Sequence, residues 1–94
     1  MSEIHNIARE STLISESEIK VRIQSFSNSL VGGEKATFIH VFAHIMEGRI
    51  VEQRARLSRR IISRLETICS ITPNIAMNIY DFEKETYLNK SMLL

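Results

Sequence analysis

Six arginines lie within sixteen consecutive residues, and Glu52 is the one acidic residue among them. Guanidinium groups bind phosphates and carboxylates through paired hydrogen bonds, so the segment is a candidate anion-binding surface. The last four fall opposite the aliphatic stripe of a predicted helix, where a solvent-exposed face is the simpler interpretation. Arg49 differs, because it follows Gly48 at a predicted strand-to-helix junction, where ligands of α/β proteins gather. The six are Arg49, Arg54, Arg56, Arg59, Arg60 and Arg64.

Two histidines and a lysine-arginine pair are further candidates for a binding site. His40 and His44 are four residues apart, which on a strand separates them by about 13 Å, too far to share a metal ion. We therefore predict no metal site, and either imidazole is a pH-sensitive or substrate-facing group or, more simply, packs in the fold or at an interface. Lys20 and Arg22 lie on one face of another predicted strand, either as an anion-binding pair or as the solvent-exposed side of an edge strand.

Cys69 is the single cysteine, which excludes an internal disulfide and a multi-cysteine zinc site. A lone thiol fits a reducing compartment, so we expect a cytoplasmic protein. At the end of a helical stripe, Cys69 is more simply a small hydrophobic residue than a nucleophile. The sequence contains no phosphate-binding loop, paired-carboxylate signature or serine-nucleophile motif.

The composition is that of one ordinary globular domain, residues 1–94. Hydrophobic residues make up 44 % of the chain and charged residues 24 %, and the mean hydropathy is -0.06, which argues against disorder and against a membrane protein. The net charge of +1 is too small for a protein whose whole surface binds nucleic acid, so we expect no nucleic-acid partner. No export signal or membrane-spanning segment is predicted.

The hydrophobic periods predict an α/β fold of two layers, with the order β-β-α-β after a short first helix. A strand, a long helix and a second strand form a right-handed parallel crossover, with helices on one face of the sheet. Gly32 and Gly33 mark a hairpin turn, and Pro73 closes the loop after the long helix. The predicted elements are a helix over 4–14, strands over 19–24, 38–46 and 75–80, and a helix over 50–69.

The strand over 38–46 is apolar on both faces. One face is aliphatic and the other is largely aromatic. Since one helix covers only one side of a small sheet, the second face requires another layer or another subunit. We therefore expect a homo-oligomer. The aliphatic face carries Ile39, Val41, Ala43 and Ile45, and the other carries Phe38, His40, Phe42, His44 and Met46.

The order and spacing of several short motifs resemble the 5-carboxymethyl-2-hydroxymuconate isomerase family of the tautomerase superfamily. Phe38-Ile39-His40 is followed by Gly48-Arg49 and then by Glu52 and Arg54 in the helix. Upstream, Ile19-Lys20-Val21-Arg22 resembles the family's arginine-bearing second strand, and Ile75 to Phe82 resembles its last strand. The resemblance covers the chain from Ile19 onward.

The resemblance implies two β-α-β halves per subunit, a homotrimer, and no metal or organic cofactor. It implies an isomerase of aromatic-compound catabolism that moves a proton within an unsaturated carboxylated keto acid. A mature N-terminal proline is the family's base, and arginines hold the anionic carboxylate substrate. Arg49 and Arg22 match such arginines, Lys20 stands where the family usually has arginine, and His40 belongs to the matching strand motif.

This sequence begins with Met1 and Ser2, and the nitrogen of its one proline, Pro73, is an amide. The resemblance therefore assigns it no catalytic residue, and we expect anion binding with only weak isomerase activity. The competing prediction is a non-catalytic binding or assembly protein on the same trimeric scaffold.

Overall fold

A parallel strand-helix-strand unit forms the centre of the computed structural model, which describes residues 1–93. The predicted α/β fold, with the helix packed against the strands, is confirmed. The main elements in chain order are α1 (Ser2–Glu10), β1 (Leu30–Val31), β2 (Glu34–Lys35), β3 (Phe38–Met46), α2 (Val51–Ile68) and β4 (Asn74–Phe82). Short 3-10 turns span Glu16–Glu18, Lys84–Thr86 and Lys90–Leu93.

β3 and β4 pair in parallel along their whole lengths, from Phe38 opposite Asn74 to Met46 opposite Phe82. Successive side chains of a strand point to opposite faces, so each strand contributes an aliphatic row to the face that α2 covers. The turn predicted at Gly32 and Gly33 is present, with both glycines at positive φ, but it joins the two-residue strands β1 and β2 and not the strands predicted over 19–24 and 38–46. Glycine suits this turn because positive φ is strained for residues with a Cβ.

The start of α2 is set by the chain reversal after β3. Gly48 has φ +115°, a backbone conformation that residues other than glycine rarely adopt. Ile50 is extended, and its backbone N–H donates to Oε1 of Gln53 (3.0 Å), which satisfies one of the N–H groups left open at a helix start. α2 then buries Leu57 and Ile61 on the side that faces the rest of the fold.

The core is small and lies where α1, α2 and β4 meet. Ile7 of α1 packs with Leu57 and Ile61 of α2. Each buried side chain of this size contributes about 1.5–3 kcal/mol through the apolar surface it removes from water. Partly buried residues surround this cluster, namely Ile4, Leu13, Leu65, Met77 and Ile79.

Two sequence predictions about the N-terminal third are wrong. The strand predicted over 19–24 is irregular chain without a hydrogen-bonded partner strand, and Ile23 and Phe26 are 66 % and 77 % exposed. Alternating hydrophobicity makes a strand only where a neighbouring strand supplies the hydrogen bonds. The first helix ends at Glu10 rather than residue 14, because Thr12 turns the chain at φ +60°.

Candidate functional site

Arg49 lies between the end of β3 and the start of α2, and its guanidinium forms hydrogen bonds to two backbone segments that are distant in sequence. Its Nε–H donates to the carbonyl of Leu13 (3.1 Å), which also accepts from Nη2, and its Nη1 donates to the carbonyl of Met46 (3.0 Å). A guanidinium has five N–H groups. Three are used here, so one N–H on each terminal nitrogen remains for a ligand.

Arg54 in the first turn of α2 brings a second guanidinium to the same end of the sheet. Its Nη1 lies 3.7 Å from Oδ1 of Asp81, near the end of β4, and its side chain is 24 % exposed. Its Nε–H is buried and meets no acceptor among residues 1–93. Glu47 directly follows β3, and its backbone N–H donates to the carbonyl of Phe82, so carboxylates as well as guanidiniums carry charge at this end of the sheet.

His40 lies toward the opposite end of β3, on the face away from α2. Its Nε2–H donates to Oδ1 of Asn78 (2.6 Å), since an amide oxygen can only accept. The imidazole also stacks on Phe42, with ring centroids 4.3 Å apart. Six residues of strand separate His40 from Met46, a distance of about 20 Å. One chain therefore does not bring His40 and Arg49 together.

Lys20 and Arg22 lie in the irregular chain that follows the first 3-10 turn, and both are exposed. Neither makes an ion pair or a side-chain hydrogen bond within the described residues. Without a partner strand this segment does not fix the two side chains on one face. Their proposed role as an anion-binding pair stays a prediction.

Two arginines of the basic face of α2 form ion pairs with glutamates of α1. Arg60 pairs with Glu10 (3.0 Å) and Arg64 with Glu3 (3.0 Å), while Arg56 and Arg59 are exposed. The hydrogen bond from Arg64, followed by its charge, lowers the pKa of Glu3, and the same contact raises the pKa of Arg64. All four arginines opposite the aliphatic stripe are exposed, as the solvent-exposed interpretation predicts, and the two ion pairs with α1 are contacts that the sequence did not indicate.

An aromatic row on the exposed side of the sheet emerges only from the strand register. His44 lies opposite Tyr80, and their rings stack with centroids 5.3 Å apart. The ring of Phe42 also stacks with Tyr80, with centroids 6.5 Å apart, so His40, Phe42, Tyr80 and His44 form one connected row. The alternation of β3 predicted three of these positions, but Tyr80 joins them only when β4 is placed beside β3.

Cys69 caps the C-terminal end of α2 and is half-buried. Within residues 1–93 no three His, Cys, Asp or Glu side chains cluster closely enough to hold a metal ion. Over the same residues, no helix combines the length and apolar character that crossing a bilayer requires.

Searches with this sequence matched no protein-family model and no curated protein. What the chain does must therefore be inferred from its residues and from the contacts above. The edge that carries Arg49, Arg54 and the first turn of α2 is the candidate binding site.

Proposed function

We propose that the chain is a subunit of an isomerase of the 5-carboxymethyl-2-hydroxymuconate isomerase type, which shifts a proton within an unsaturated carboxylated keto acid. The observation that supports this proposal is the guanidinium of Arg49. It stands at the carboxyl end of β3, is fixed by the carbonyls of Leu13 and Met46, and retains one N–H on each terminal nitrogen. A guanidinium held in one orientation binds a carboxylate with less loss of side-chain entropy than a mobile one.

In this proposal Arg49 binds a substrate carboxylate, and Arg54, the partner of Asp81, is a second cation at the same edge. The sequence resemblance adds Arg22, Lys20 and His40 as substrate contacts. His40 lies about 20 Å from the end of β3 that precedes Arg49, so a site that uses both needs residues from more than one subunit. A homotrimer would supply them. The proposed chemistry uses no metal or organic cofactor, and the lone thiol of Cys69 fits a cytoplasmic location.

The alternative is a non-catalytic binding or assembly protein on the same scaffold. Arg49 supports this alternative too, because three of its five N–H groups hold the backbone together without any ligand. Its partners among the described residues are backbone carbonyls, none of which can act as a general base. General-base assistance commonly contributes about 10² to 10⁴ in rate, so anion binding without such a base gives weak turnover.

Calorimetric titration with muconate, an unsaturated dicarboxylate, tests the binding step. Arg49→Ala should weaken binding by about 10- to 150-fold, the equivalent of about 1.5–3 kcal/mol for a hydrogen bond to a charged group. Arg56→Ala is the matched control, since Arg56 is an exposed arginine of α2 outside this edge, and its affinity should equal that of the wild type. Circular dichroism ensures that each variant is folded at the temperature of titration. Equal affinity in Arg49→Ala and the wild type would exclude the assigned role.

An ultraviolet absorbance assay with a muconate-type keto acid separates the two proposed functions. Isomerisation that falls in Arg49→Ala and persists in Arg56→Ala supports the enzyme. Dicarboxylate binding that depends on Arg49 but occurs without turnover overturns the enzyme and supports the binding protein.

A further inference from the structure

The chain turns a corner directly after α1, over residues 11–13, and this corner carries a carbonyl that orients Arg49. Nε and Nη2 of Arg49 both donate to the carbonyl oxygen of Leu13. These two N–H groups lie along one side of the planar guanidinium. The remaining hydrogen bond of this side chain within residues 1–93 joins Nη1 to Met46. The orientation of the guanidinium therefore depends on where the Leu13 carbonyl is held.

The hydroxyl of Ser11 connects this corner to the helix before it. Its Oγ donates to the carbonyl of Ala8 (2.6 Å), in the last turn of α1, and accepts from the backbone N–H of Leu13 (3.3 Å). The first bond satisfies one of the carbonyls that a helix end leaves without an intrahelical partner. The second bond fixes the position of Leu13 relative to α1.

Thr12 makes the corner tight. Its φ of +60° is uncommon for a residue with a Cβ, and most of all for a β-branched one. Its backbone N–H donates to the carbonyl of Arg9 (3.2 Å), and its Oγ1 donates to the carbonyl of Ser11 (2.6 Å). A residue stays in such a conformation only where surrounding contacts hold it there. The two bonds of the Ser11 hydroxyl reach residues on either side of Thr12 and are contacts of this kind.

Both ends of the corner are anchored in the fold. Ala8 is 6 % exposed, and its neighbour Ile7 belongs to the buried core. The side chain of Leu13 packs against the same core cluster. Because the Ser11 hydroxyl joins Ala8 to Leu13, it carries the position of the buried helix over to the residue that Arg49 contacts.

A single residue separates the Ser11 hydroxyl from the guanidinium. Ser11 bonds the backbone N–H of Leu13, and Arg49 bonds the carbonyl of that same Leu13. Without the hydroxyl, Leu13 gains backbone freedom, and a carbonyl that shifts by about 1 Å no longer accepts both N–H groups at hydrogen-bonding distance. Arg49 then keeps one anchor, at Met46, and loses more side-chain freedom when it binds a ligand.

We propose that Ser11 is a positioning residue for Arg49. Its hydroxyl holds the Leu13 carbonyl in place, and that carbonyl holds the guanidinium in the orientation that binds the carboxylate of a substrate. The proposal deepens the proposed function and rests on it for the identity of the ligand. The orientation of Arg49 exists without a ligand, so it is tested separately.

Nuclear magnetic resonance of the arginine Nε–H groups, recorded on the whole 94-residue chain without ligand, tests the orientation. The resonance of Arg49 is the one that disappears in Arg49→Lys. We expect this Nε–H to be ordered on the nanosecond timescale in the wild type and mobile in Ser11→Ala. Its exchange with water should be about three- to tenfold faster in that variant, the factor that corresponds to one neutral hydrogen bond.

Two further variants control this measurement. Ser11→Thr keeps the hydroxyl and should keep the ordered Nε–H of Arg49. Ser29→Ala is the matched control, because Ser29 is also half-buried and its Oγ also donates to a backbone carbonyl, that of Ala36 beside β2. Circular dichroism ensures that each variant is folded. An Arg49 Nε–H that is as ordered in Ser11→Ala as in the wild type would overturn the proposal.

Calorimetric titration with muconate tests the link to the ligand. Ser11→Ala should weaken binding by about three- to tenfold, while Ser11→Thr and Ser29→Ala bind like the wild type. In the Arg49→Ala background, Ser11→Ala should cause no further loss, because the guanidinium through which it acts is gone. A further loss of the same size in that background would show a role independent of Arg49 and overturn the proposal. Tighter binding in Ser11→Ala would also overturn it, since the Leu13 carbonyl would then compete with the ligand.

The two experiments separate this proposal from the proposed function. A wild type that does not bind muconate overturns the proposed function, whereas the order of the Arg49 Nε–H still decides whether Ser11 positions the guanidinium. If the wild type binds muconate and Ser11→Ala loosens the Nε–H without changing the affinity, the proposed function stands and the positioning role is wrong.

Discussion

Replacement of Arg49 by alanine should lower the free energy of unfolding, because two backbone carbonyls lose their charged donor. Leu13 loses its bonds from Nε and Nη2, and Met46 its bond from Nη1. Hydrogen bonds to charged groups contribute about 1.5–3 kcal/mol each when buried. Arg49 is only half-buried, so water replaces part of each lost bond, and the total should be about 2 kcal/mol. For a chain of this length that corresponds to a fall in melting temperature of about 8–16 °C.

Urea unfolding followed by circular dichroism at one protein concentration measures this loss. Arg49→Lys keeps the charge and at least one donor, so it should recover part of the stability. Arg56→Ala removes an exposed arginine of α2 and should change the free energy of unfolding by less than about 0.5 kcal/mol. If Arg49→Ala unfolds at the same urea concentration as the wild type, the tie between Leu13 and the end of β3 does not stabilise the fold.

Three further predictions follow from the packing, the backbone and the ion pairs. Ile61→Ala, at a side chain 2 % exposed, should cost about 2–5 kcal/mol in urea unfolding, and Ile61→Val less than half of that. Gly48→Ala should cost about 1–3 kcal/mol through strain at φ +115°, whereas Gly32→Asn at φ +61° should melt within a few degrees of the wild type. Arg64→Ala should raise the lowered pKa of Glu3 in a carboxyl NMR titration. The stability from that pair is present above the ordinary pKa of glutamate and is lost as pH falls through the lowered value; an unchanged Glu3 titration would contradict the pairing.

The sequence predicted the elements whose patterns depend on neighbours along the chain. The aliphatic stripe of α2, the alternation in β3 and β4, and the Gly32-Gly33 turn each describe one element and the side it buries. Parallel pairing followed from the helix between the strands, because a parallel partner requires a long crossover that returns the chain to the end where the first strand began. These features make up the confirmed α/β fold.

The features that the sequence missed depend on contacts between distant residues. Residues 19–24 alternate in hydrophobicity like a strand, but no strand among the described residues pairs with them. The hydrogen bond from Arg49 to the Leu13 carbonyl joins residues that are 36 positions apart, so no local sequence pattern predicts it. The stack of Tyr80 on His44 required the register of the sheet. The candidate site was therefore predicted by residue type, but its contacts were not.

The parallel crossover sets the order of events when this chain folds. Every pair in the β3–β4 ladder is as far apart in sequence as Phe38 and Asn74. The sheet therefore cannot form pair by pair from a tight turn, as the hairpin can. α2 forms helical turns within about a microsecond, whereas the first β3–β4 contact must close the whole intervening loop. Until it does, β3 exposes both edges and both faces to other chains. Refolding yield should therefore fall as protein concentration rises, while the folding rate constant stays the same.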